Sequence, residues 1–100
     1  MKLAVIGTGY WGSKIVQTVE NMGLAVTLYD VNDSVDGIVP SLIDGVIVAT
    51  PAPTHKDITK KMLRKGIHVL VEKPAFMNMK ECNEIGPYTA NAKLMAGHIL

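Results

Sequence analysis

The feature that most constrains this chain is a glycine-rich turn directly after a short apolar run near its start. Residues 3–6 are strand formers, and Gly7, Gly9 and Gly12 then fall in a G-x-G-x-x-G pattern. Gly7 allows a tight turn out of a strand, Gly9 lets a pyrophosphate approach the backbone, and Gly12 allows the next helix to pack closely. Because a helix N-terminus also offers amide groups to phosphates, we predict a dinucleotide-binding turn. The predicted contacts are Gly7, Thr8, Gly9, Tyr10, Trp11 and Gly12.

A helix is predicted directly after this turn. Apolar residues recur there at helical spacing, and Gly23 is placed to end the helix. Trp11 could shield the pyrophosphate, but its spacing favours packing against the sheet. The stripe predicted to face the sheet consists of Trp11, Ile15, Val16, Val19 and Met22.

An acidic residue follows the second apolar run. Residues 24–29 are predicted to form a strand, and Asp30 comes next, eighteen positions after Gly12. In dinucleotide-binding units an acidic side chain about 20 residues on accepts hydrogen bonds from the adenosine ribose. Asp30 could also be an ordinary turn residue, yet glycine turn, helix and acid together favour the ribose role. Because a carboxylate there repels a 2′-phosphate, we expect NAD as the cofactor rather than NADP.

Composition limits the class and the partners of this protein. One hundred residues, 48% of them hydrophobic, suit a single dinucleotide-binding domain over residues 1–100. With a formal net charge of +1, the chain lacks the excess of basic residues that is typical of nucleic-acid-binding proteins. No apolar run approaches the ~18 residues of a membrane span. The start lacks a signal-peptide pattern and the single cysteine excludes an internal disulfide, so we expect a cytoplasmic protein. Cys82 should be a buried apolar residue, and the scattered histidines give no metal-ligand spacing.

The rest of the chain alternates strand and helix patterns. Residues 46–49, 68–71 and 93–97 are predicted strands, and residues 54–66 and 78–85 are predicted helices. This alternation indicates an α/β fold, a Rossmann-type doubly wound parallel sheet with right-handed crossovers.

The two later helices have recognisable starts and inner faces. Thr54 with Asp57 resembles a capping box, and Asn78 with Glu81 suits the start of the second of these helices. A Gly-Pro pair at 86–87 should end or kink that helix. The residues predicted to face the core are Ile58, Met62 and Leu63, then Met79, Cys82 and Ile85.

The connection after the second strand is short. Residues 31–45 contain Gly37, Pro40 and Gly45, and such a stretch cannot hold both a regular helix and an edge strand. We expect a shortened crossover with a stub of strand at 37–39, one helical turn at 41–44, and thin cover over one face of the sheet. Self-association would hide the apolar surface left there.

Polar residues follow two of the predicted strands. Thr50, Pro51 and His55 come after the strand at 46–49, and Glu72 and Lys73 come at the end of the strand at 68–71. Ligands of parallel sheets bind outside the carboxyl ends of the strands, so we expect these residues beside the glycine turn. His55 could face the cofactor or be an exposed residue of a first helical turn. Glu72 and Lys73 could also be an ordinary polar strand end.

These motifs together resemble the amino-terminal domain of the Gfo/Idh/MocA family, the glucose–fructose oxidoreductases, inositol dehydrogenases and their relatives. The resemblance rests on the turn at 7–12, on the A-T-P at 49–51 with His55, and on the E-K-P at 72–74. It implies that the domain binds a nicotinamide dinucleotide, that the loop at 50–55 lies along it, and that Lys73 faces the nicotinamide and the substrate hydroxyl. The residues G-Y-W-G at 9–12 and A-G-H at 96–98 are similar to the corresponding motifs of family members that act on sugar nucleotides or amino sugars. The family's second domain, which provides most substrate contacts, would be absent here.

The chemistry of alcohol oxidation also fits Lys73. Hydride transfer to the cofactor must be accompanied by removal of the hydroxyl proton, and a lysine beside the nicotinamide can hydrogen-bond that oxygen and help to move the proton. To act as a base, its pKa must be lowered from about 10.4 by desolvation or a nearby cation. We therefore name Lys73 as the expected catalytic residue.

Three hypotheses remain open. The first is an NAD-dependent oxidoreductase that transfers a hydride between nicotinamide and a hydroxyl of a sugar, polyol or sugar-nucleotide-like substrate. The second is a stand-alone NAD-binding regulatory or sensor module, and the third is a remnant that no longer binds the cofactor. The expected partners are the small substrate and either further copies of this chain or a missing substrate domain, with no nucleic acid and no membrane.

Overall fold

In the computed structural model, the described residues form a five-stranded parallel sheet with helices on both faces. The strands are β1 (Lys2–Ile6), β2 (Ala25–Tyr29), β3 (Gly45–Val48), β4 (His68–Glu72) and β5 (Leu94–Gly97). The helices are α1 (Gly9–Asn21), α2 (His55–Arg64) and α3 (Met79–Ile85), with short 3₁₀ segments at Ala52–Thr54 and Gly86–Ala90. The structure describes residues 2–7, 9–29, 38, 41–72, 78–90 and 92–97, a few of them by their backbone alone.

The strands lie in the order β2-β1-β3-β4-β5, and every neighbouring pair is parallel. The strand order reverses between β1 and β3, because α1 leads from β1 to β2 on one side whereas β3 pairs with β1 on the other. This confirms the predicted Rossmann-type fold. In sheets of this kind the crevice for ligands lies at the carboxyl ends of the strands beside that reversal.

Each face of the sheet has its own apolar cluster. One cluster packs α2 and α3 against the sheet, with Met62, Leu63 and Ile85 almost completely buried, as predicted. The other packs Ile15 and Val19 of α1 against the centre of the opposite face. The two clusters sandwich the central strands, so β1 and β3 are the rigid base from which the site is built.

The predicted inner faces of two helices are partly wrong. Met22 is 67% exposed because α1 already ends at Asn21 and the chain turns away through Gly23. Met79 is 74% exposed and Cys82 is exposed as well. The reason is the short length of α3, which buries only Ile85 at its last position.

The starts of the two later helices differ in their capping. Asn78 caps α3 as predicted, because its side chain accepts a hydrogen bond of 3.0 Å from the Glu81 N–H. The predicted capping box of α2 is wrong, since Thr54 makes no side-chain cap hydrogen bond there. Its hydroxyl instead lies 2.6 Å from the Pro51 carbonyl oxygen.

Part of the short connection between β2 and β3 is described. A turn at Ser41 and Leu42 replaces the predicted helical turn, because Ile43 enters the core and Asp44 is tied to β1. The Asp44 N–H donates to the Lys2 carbonyl oxygen at 2.8 Å, and the Lys2 N–H donates to the Asp44 carboxylate at 2.6 Å. The predicted strand stub at 37–39 lies outside the described residues, apart from the buried Ile38.

None of the helices in the described ranges is both long enough and apolar enough to cross a membrane.

Candidate cofactor-binding site

The glycine turn lies at the carboxyl end of β1, where the strand order reverses. The Gly7 N–H donates to the Tyr29 carbonyl oxygen, and the Ala49 N–H donates to the Ile6 carbonyl oxygen, each at 2.8 Å. These two hydrogen bonds extend the pairing of β1 with β2 and with β3 by one residue. The turn therefore starts from a backbone held on both sides.

Two glycines of the turn have no room for a side chain. Gly7 has a φ of +141°, and a Cβ there would lie 2.8 Å from the backbone carbon and oxygen of Ala49. A Cβ on Gly12 would lie 2.6 Å from the Gly7 carbonyl oxygen and 3.0 Å from its carbon. Contacts below 3.0 Å with backbone atoms are incompatible with normal packing. The backbone at Gly7 therefore lies very close to Ala49, the residue after β3, and the backbone of α1 at Gly12 lies very close to Gly7.

The start of α1 suits an anionic ligand. The helix begins at Gly9, two residues after Gly7. The first amide groups of a helix have no acceptor within it. The positive end of the helix dipole lies at the same place. Gly7 and Gly12 bring the start of α1 close to the carboxyl end of β1, and the described backbone therefore fits the diphosphate of a dinucleotide.

The loop after β3 is held together by three polar side chains. Thr54 Oγ1 lies 2.6 Å from both the Pro51 carbonyl oxygen and Thr50 Oγ1. Since a carbonyl oxygen can only accept, the Thr54 proton goes to Pro51, and the Thr50 hydroxyl is left to donate to Thr54. His55 Nε2 lies 2.7 Å from the Thr50 carbonyl oxygen, which requires a proton on Nε2. The loop is thereby fixed beside the glycine turn through Ala49.

His55 is the residue for which the structure is most informative. The sequence is compatible with His55 either facing the cofactor or being exposed, but its side chain is only 1% exposed and hydrogen-bonds the loop backbone. The role of Thr54 was missed. The spacing of Thr50 and Thr54 before a helix was the available signal, because threonine hydroxyls commonly bond nearby backbone groups at such turns.

The first turn of α2 is also linked to α3. Lys56 Nζ lies 3.0 Å from Glu84 Oε2 and 3.6 Å from Asp57 Oδ1. The hydrogen bond and the negative charge of Glu84 raise the pKa of Lys56 above its usual 10.5. This pair connects the helix that carries His55 to the neighbouring helix.

Several predicted site residues cannot be placed by these contacts. Thr8, Asp30 and Lys73 lie outside the described residues, as do the side chains of Tyr10, Trp11 and Glu72. β2 ends at Tyr29 and β4 ends at Glu72, both at the carboxyl edge of the sheet. Within the described ranges, no three His, Cys, Asp or Glu side chains lie close enough together to hold a metal ion. The predicted residues that the structure does bring together are Gly7, Gly12, Thr50, Pro51 and His55.

Comparison with known proteins leads to the same fold and cofactor class. The family described as "Oxidoreductase family, NAD-binding Rossmann fold", GFO_IDH_MocA, matches residues 24–98. An uncharacterized oxidoreductase of Streptococcus pneumoniae serotype 4 is 34% identical over 119 positions, covering 100% of this chain and 32% of the relative. The 2,7-anhydro-N-acetylneuraminate hydratase of Escherichia coli K12 is 30% identical, covering 96% of this chain and 31% of the relative. The structure of UDP-N-acetylglucosamine 3-dehydrogenase GnnA from Acidithiobacillus ferrooxidans has the same fold, with a TM-score of 0.85 and 22% identity over 98% of this chain and 37% of its own.

The chain spans about a third of the length of the curated relatives it matches. The match to the streptococcal protein runs over 119 positions although this chain has 100 residues, so the relative has additional residues within the matched region. From the family match and the fold, the chain belongs to the Gfo/Idh/MocA family of oxidoreductases and carries its NAD-binding Rossmann domain.

Proposed function

We propose that this chain binds NAD(H) across the carboxyl edge of its sheet and forms the cofactor-binding part of a dehydrogenase. The observation that carries the proposal is the close packing of Gly7 and Gly12 where β1 leads into α1. Gly7 and Gly12 pack against backbone atoms at contact distance, and the amide groups at the start of α1 are left to the pyrophosphate. The Thr50-Pro51 loop, braced by His55, offers a second wall for the cofactor.

The proposed preference for NAD over NADP rests on Asp30. This residue follows the last residue of β2 in the sequence, where an acidic side chain accepts hydrogen bonds from both ribose hydroxyls. The same carboxylate would repel the 2′-phosphate of NADP. Removing the Asp30 carboxylate should therefore change the ratio of the affinities for NADH and NADPH more than it changes the affinity for the part that the two cofactors share.

We further propose that the complete enzyme acts on a hydroxyl of a sugar, polyol or sugar nucleotide. Two of the similar proteins are named for a sialic acid derivative and for a UDP-sugar, which supports this substrate class. When bound, NAD accepts or donates the hydride. Lys73, which follows Glu72 in the sequence, is proposed to hydrogen-bond the reacting hydroxyl and to hold or move its proton. We also propose that the protein is cytoplasmic. A single cysteine cannot form an internal disulfide, and this suits a reducing compartment.

Cofactor binding can be measured through Trp11, the single tryptophan of the sequence, which lies near the start of α1. Trp11 emission should fall on titration with NADH, because the dihydronicotinamide absorbs where tryptophan emits. Asp30→Asn should weaken NADH binding and reduce the discrimination against NADPH. Asp44→Asn is the matched control, since Asp44 lies at the amino-terminal edge of the sheet beside Lys2. An unchanged NADH-to-NADPH preference in Asp30→Asn would remove Asp30 from the ribose site.

Catalysis by Lys73 requires a test in the full-length protein. Lys73→Met should lower kcat by about 10²-fold or more, the usual contribution of a positioned proton-transfer group, and leave the Kd for NADH nearly unchanged. Lys61→Met, on the exposed side of α2, should change neither value. Full turnover in Lys73→Met would refute the role of Lys73.

The alternative is a stand-alone NAD-binding module that regulates or senses and catalyses nothing. The same experiments distinguish the two proposals. The binding of NADH by such a module would still be weakened by Asp30→Asn, but the full-length protein would oxidise no sugar, polyol or sugar nucleotide. A chain that fails to bind NADH at all would contradict both proposals.

A further inference from the structure

The loop after β3 contains a short chain of hydrogen bonds in which each hydroxyl proton has a fixed place. Thr54 Oγ1 lies 2.6 Å from the Pro51 carbonyl oxygen, which can only accept, so the Thr54 proton is used there. Thr50 Oγ1 lies 2.6 Å from Thr54 Oγ1, and this contact therefore uses the Thr50 proton. The Thr50 carbonyl oxygen is occupied as well, because His55 Nε2 donates to it at 2.7 Å. Thr50 Oγ1 is consequently left with lone pairs alone, and it can only accept a further hydrogen bond.

Thr50 lies beside the part of the sheet where the diphosphate is proposed to bind. The preceding residue, Ala49, donates its N–H to the Ile6 carbonyl oxygen at 2.8 Å, and its backbone carbon and oxygen lie 2.8 Å from the position of a Cβ on Gly7. Thr50 itself is 7% exposed, so little water competes for its hydroxyl oxygen. An acceptor at this place repels phosphate oxygens, which carry no proton, and favours a ligand group that donates one.

The strand order indicates which half of the cofactor reaches Thr50. β2 and β3 lie on opposite sides of β1, and the diphosphate is proposed to bind where β1 leads into α1. Because the adenosine ribose is proposed to bind Asp30, which follows β2 in the sequence, the other half of the molecule must extend over β3. The first group on that half after the diphosphate is the nicotinamide ribose, whose hydroxyls can donate hydrogen bonds.

We infer that Thr50 Oγ1 accepts a hydrogen bond from a hydroxyl of the nicotinamide ribose, and that Thr54 is the positioning residue that keeps Thr50 in this acceptor state. The inference rests on the proposed NAD(H) site and deepens it. Thr54 acts through Thr50 and needs no contact with the cofactor. Without the Thr54 hydroxyl, the loop no longer holds the Thr50 proton, and that proton can turn toward the ligand. A donor would then face a donor, and the preference for a ribose over a phosphate should decrease.

Fragments of the cofactor provide the test. ADP ends at the diphosphate, ADP-ribose adds the second ribose, and NADH adds the dihydronicotinamide. Calorimetric titration of the full-length protein with these three ligands therefore assigns each gain in affinity to one group. Thr54→Val keeps the shape of the side chain and removes its hydroxyl. It should weaken the binding of ADP-ribose and of NADH alike by about 5-fold, as expected for the loss of one hydrogen bond, and leave ADP binding unchanged.

Thr89 supplies a matched control outside the proposed site. Its hydroxyl also donates to the carbonyl oxygen three residues earlier, that of Gly86, at 2.7 Å and within a 3₁₀ segment. Thr89→Val should change none of the three affinities, and Thr54→Ser, which restores the hydroxyl, should return the ADP-ribose affinity to near the wild-type value. In a Thr50→Val background, adding Thr54→Val should have no further effect on ADP-ribose binding. A further loss of the same size in this double variant would overturn the positioning role.

The outcomes separate this inference from the proposed function. If the wild-type protein binds none of the three ligands, the proposed NAD(H) site is wrong, and this inference is wrong with it. If the wild type binds all three and Thr54→Val keeps the wild-type ratio of the ADP-ribose and ADP affinities, the inference alone is overturned. A loss seen with NADH but not with ADP-ribose would assign the contact to the carboxamide and would overturn it as well. If circular dichroism shows that Thr54→Val does not fold, Thr54→Ala removes the same hydroxyl and takes its place.

Discussion

Replacing Gly12 with alanine should destabilise the fold although alanine is the better helix former. In a helix interior, alanine is favoured over glycine by about 1 kcal/mol. At position 12, however, the new Cβ would stand 2.6 Å from the Gly7 carbonyl oxygen, which is part of the backbone and cannot rotate away. Overpacking of a filled site costs about 1–3 kcal/mol, and a backbone neighbour places the cost near the upper end. We therefore expect Gly12→Ala to lose about 2 kcal/mol of the free energy of unfolding.

The assay is thermal and urea unfolding of the purified chain followed by far-UV circular dichroism. For a domain of this size each kcal/mol shifts Tm by about 4–8 °C, so Gly12→Ala should melt roughly 10 °C below the wild type. Gln17, exposed in the same helix, supplies the calibration, since Gln17→Ala should be more stable than Gln17→Gly by about 1 kcal/mol. If alanine raised the stability at position 12 as it does at position 17, the close approach of α1 to the turn would be wrong.

Three further predictions concern buried or paired side chains. Thr59→Val should raise the free energy of unfolding by about 1 kcal/mol, because Thr59 Oγ1 is buried with no hydrogen-bond partner among the described atoms, whereas Thr50→Val should lower it. His55→Leu should cost about 1–3 kcal/mol by leaving the Thr50 carbonyl without its donor, and His55→Gln should cost less; equal losses would argue against that hydrogen bond. Lys56→Met should lower the urea midpoint slightly at low salt. Because Glu84 raises the Lys56 pKa, the difference from the wild type should persist below pH 10.5 and vanish as the pH rises through the raised value; a difference insensitive to both salt and high pH would exclude the ion pair.

The sheet could be predicted from the sequence because its signals are local. β1, β3 and β4 contain the apolar runs 3–6, 46–48 and 69–71, as expected of strands in a parallel sheet, and each is followed by a turn or helix signal. The stripe of α1 was predicted correctly where the helix continues, at Ile15 and Val19. The strand order and the cluster under each face follow from general rules of parallel sheets rather than from any single residue.

The errors arose where burial depends on which element lies opposite. Met79 and Cys82 have helical spacing with Ile85, yet the described residues bury only the last residue of α3 and leave Met79 and Cys82 exposed. At the site, the amphipathic pattern of α2 could not show that the polar residues His55 and Thr59 face inward. Thr54 illustrates the same limit, because a hydroxyl at a helix start can bond either the helix or the preceding loop, and here the loop carbonyl of Pro51 wins.

The start of β1 also has a practical consequence for measuring ligand binding. Lys2 is anchored to Asp44 through two hydrogen bonds at the edge of the sheet opposite the glycine turn. Five strand residues at roughly 3.3 Å each place about 16 Å of β1 between that anchor and the turn. A biotin or affinity tag joined to the N-terminus would thus tether the protein to a sensor surface by its far side, leaving the nucleotide crevice facing the solution.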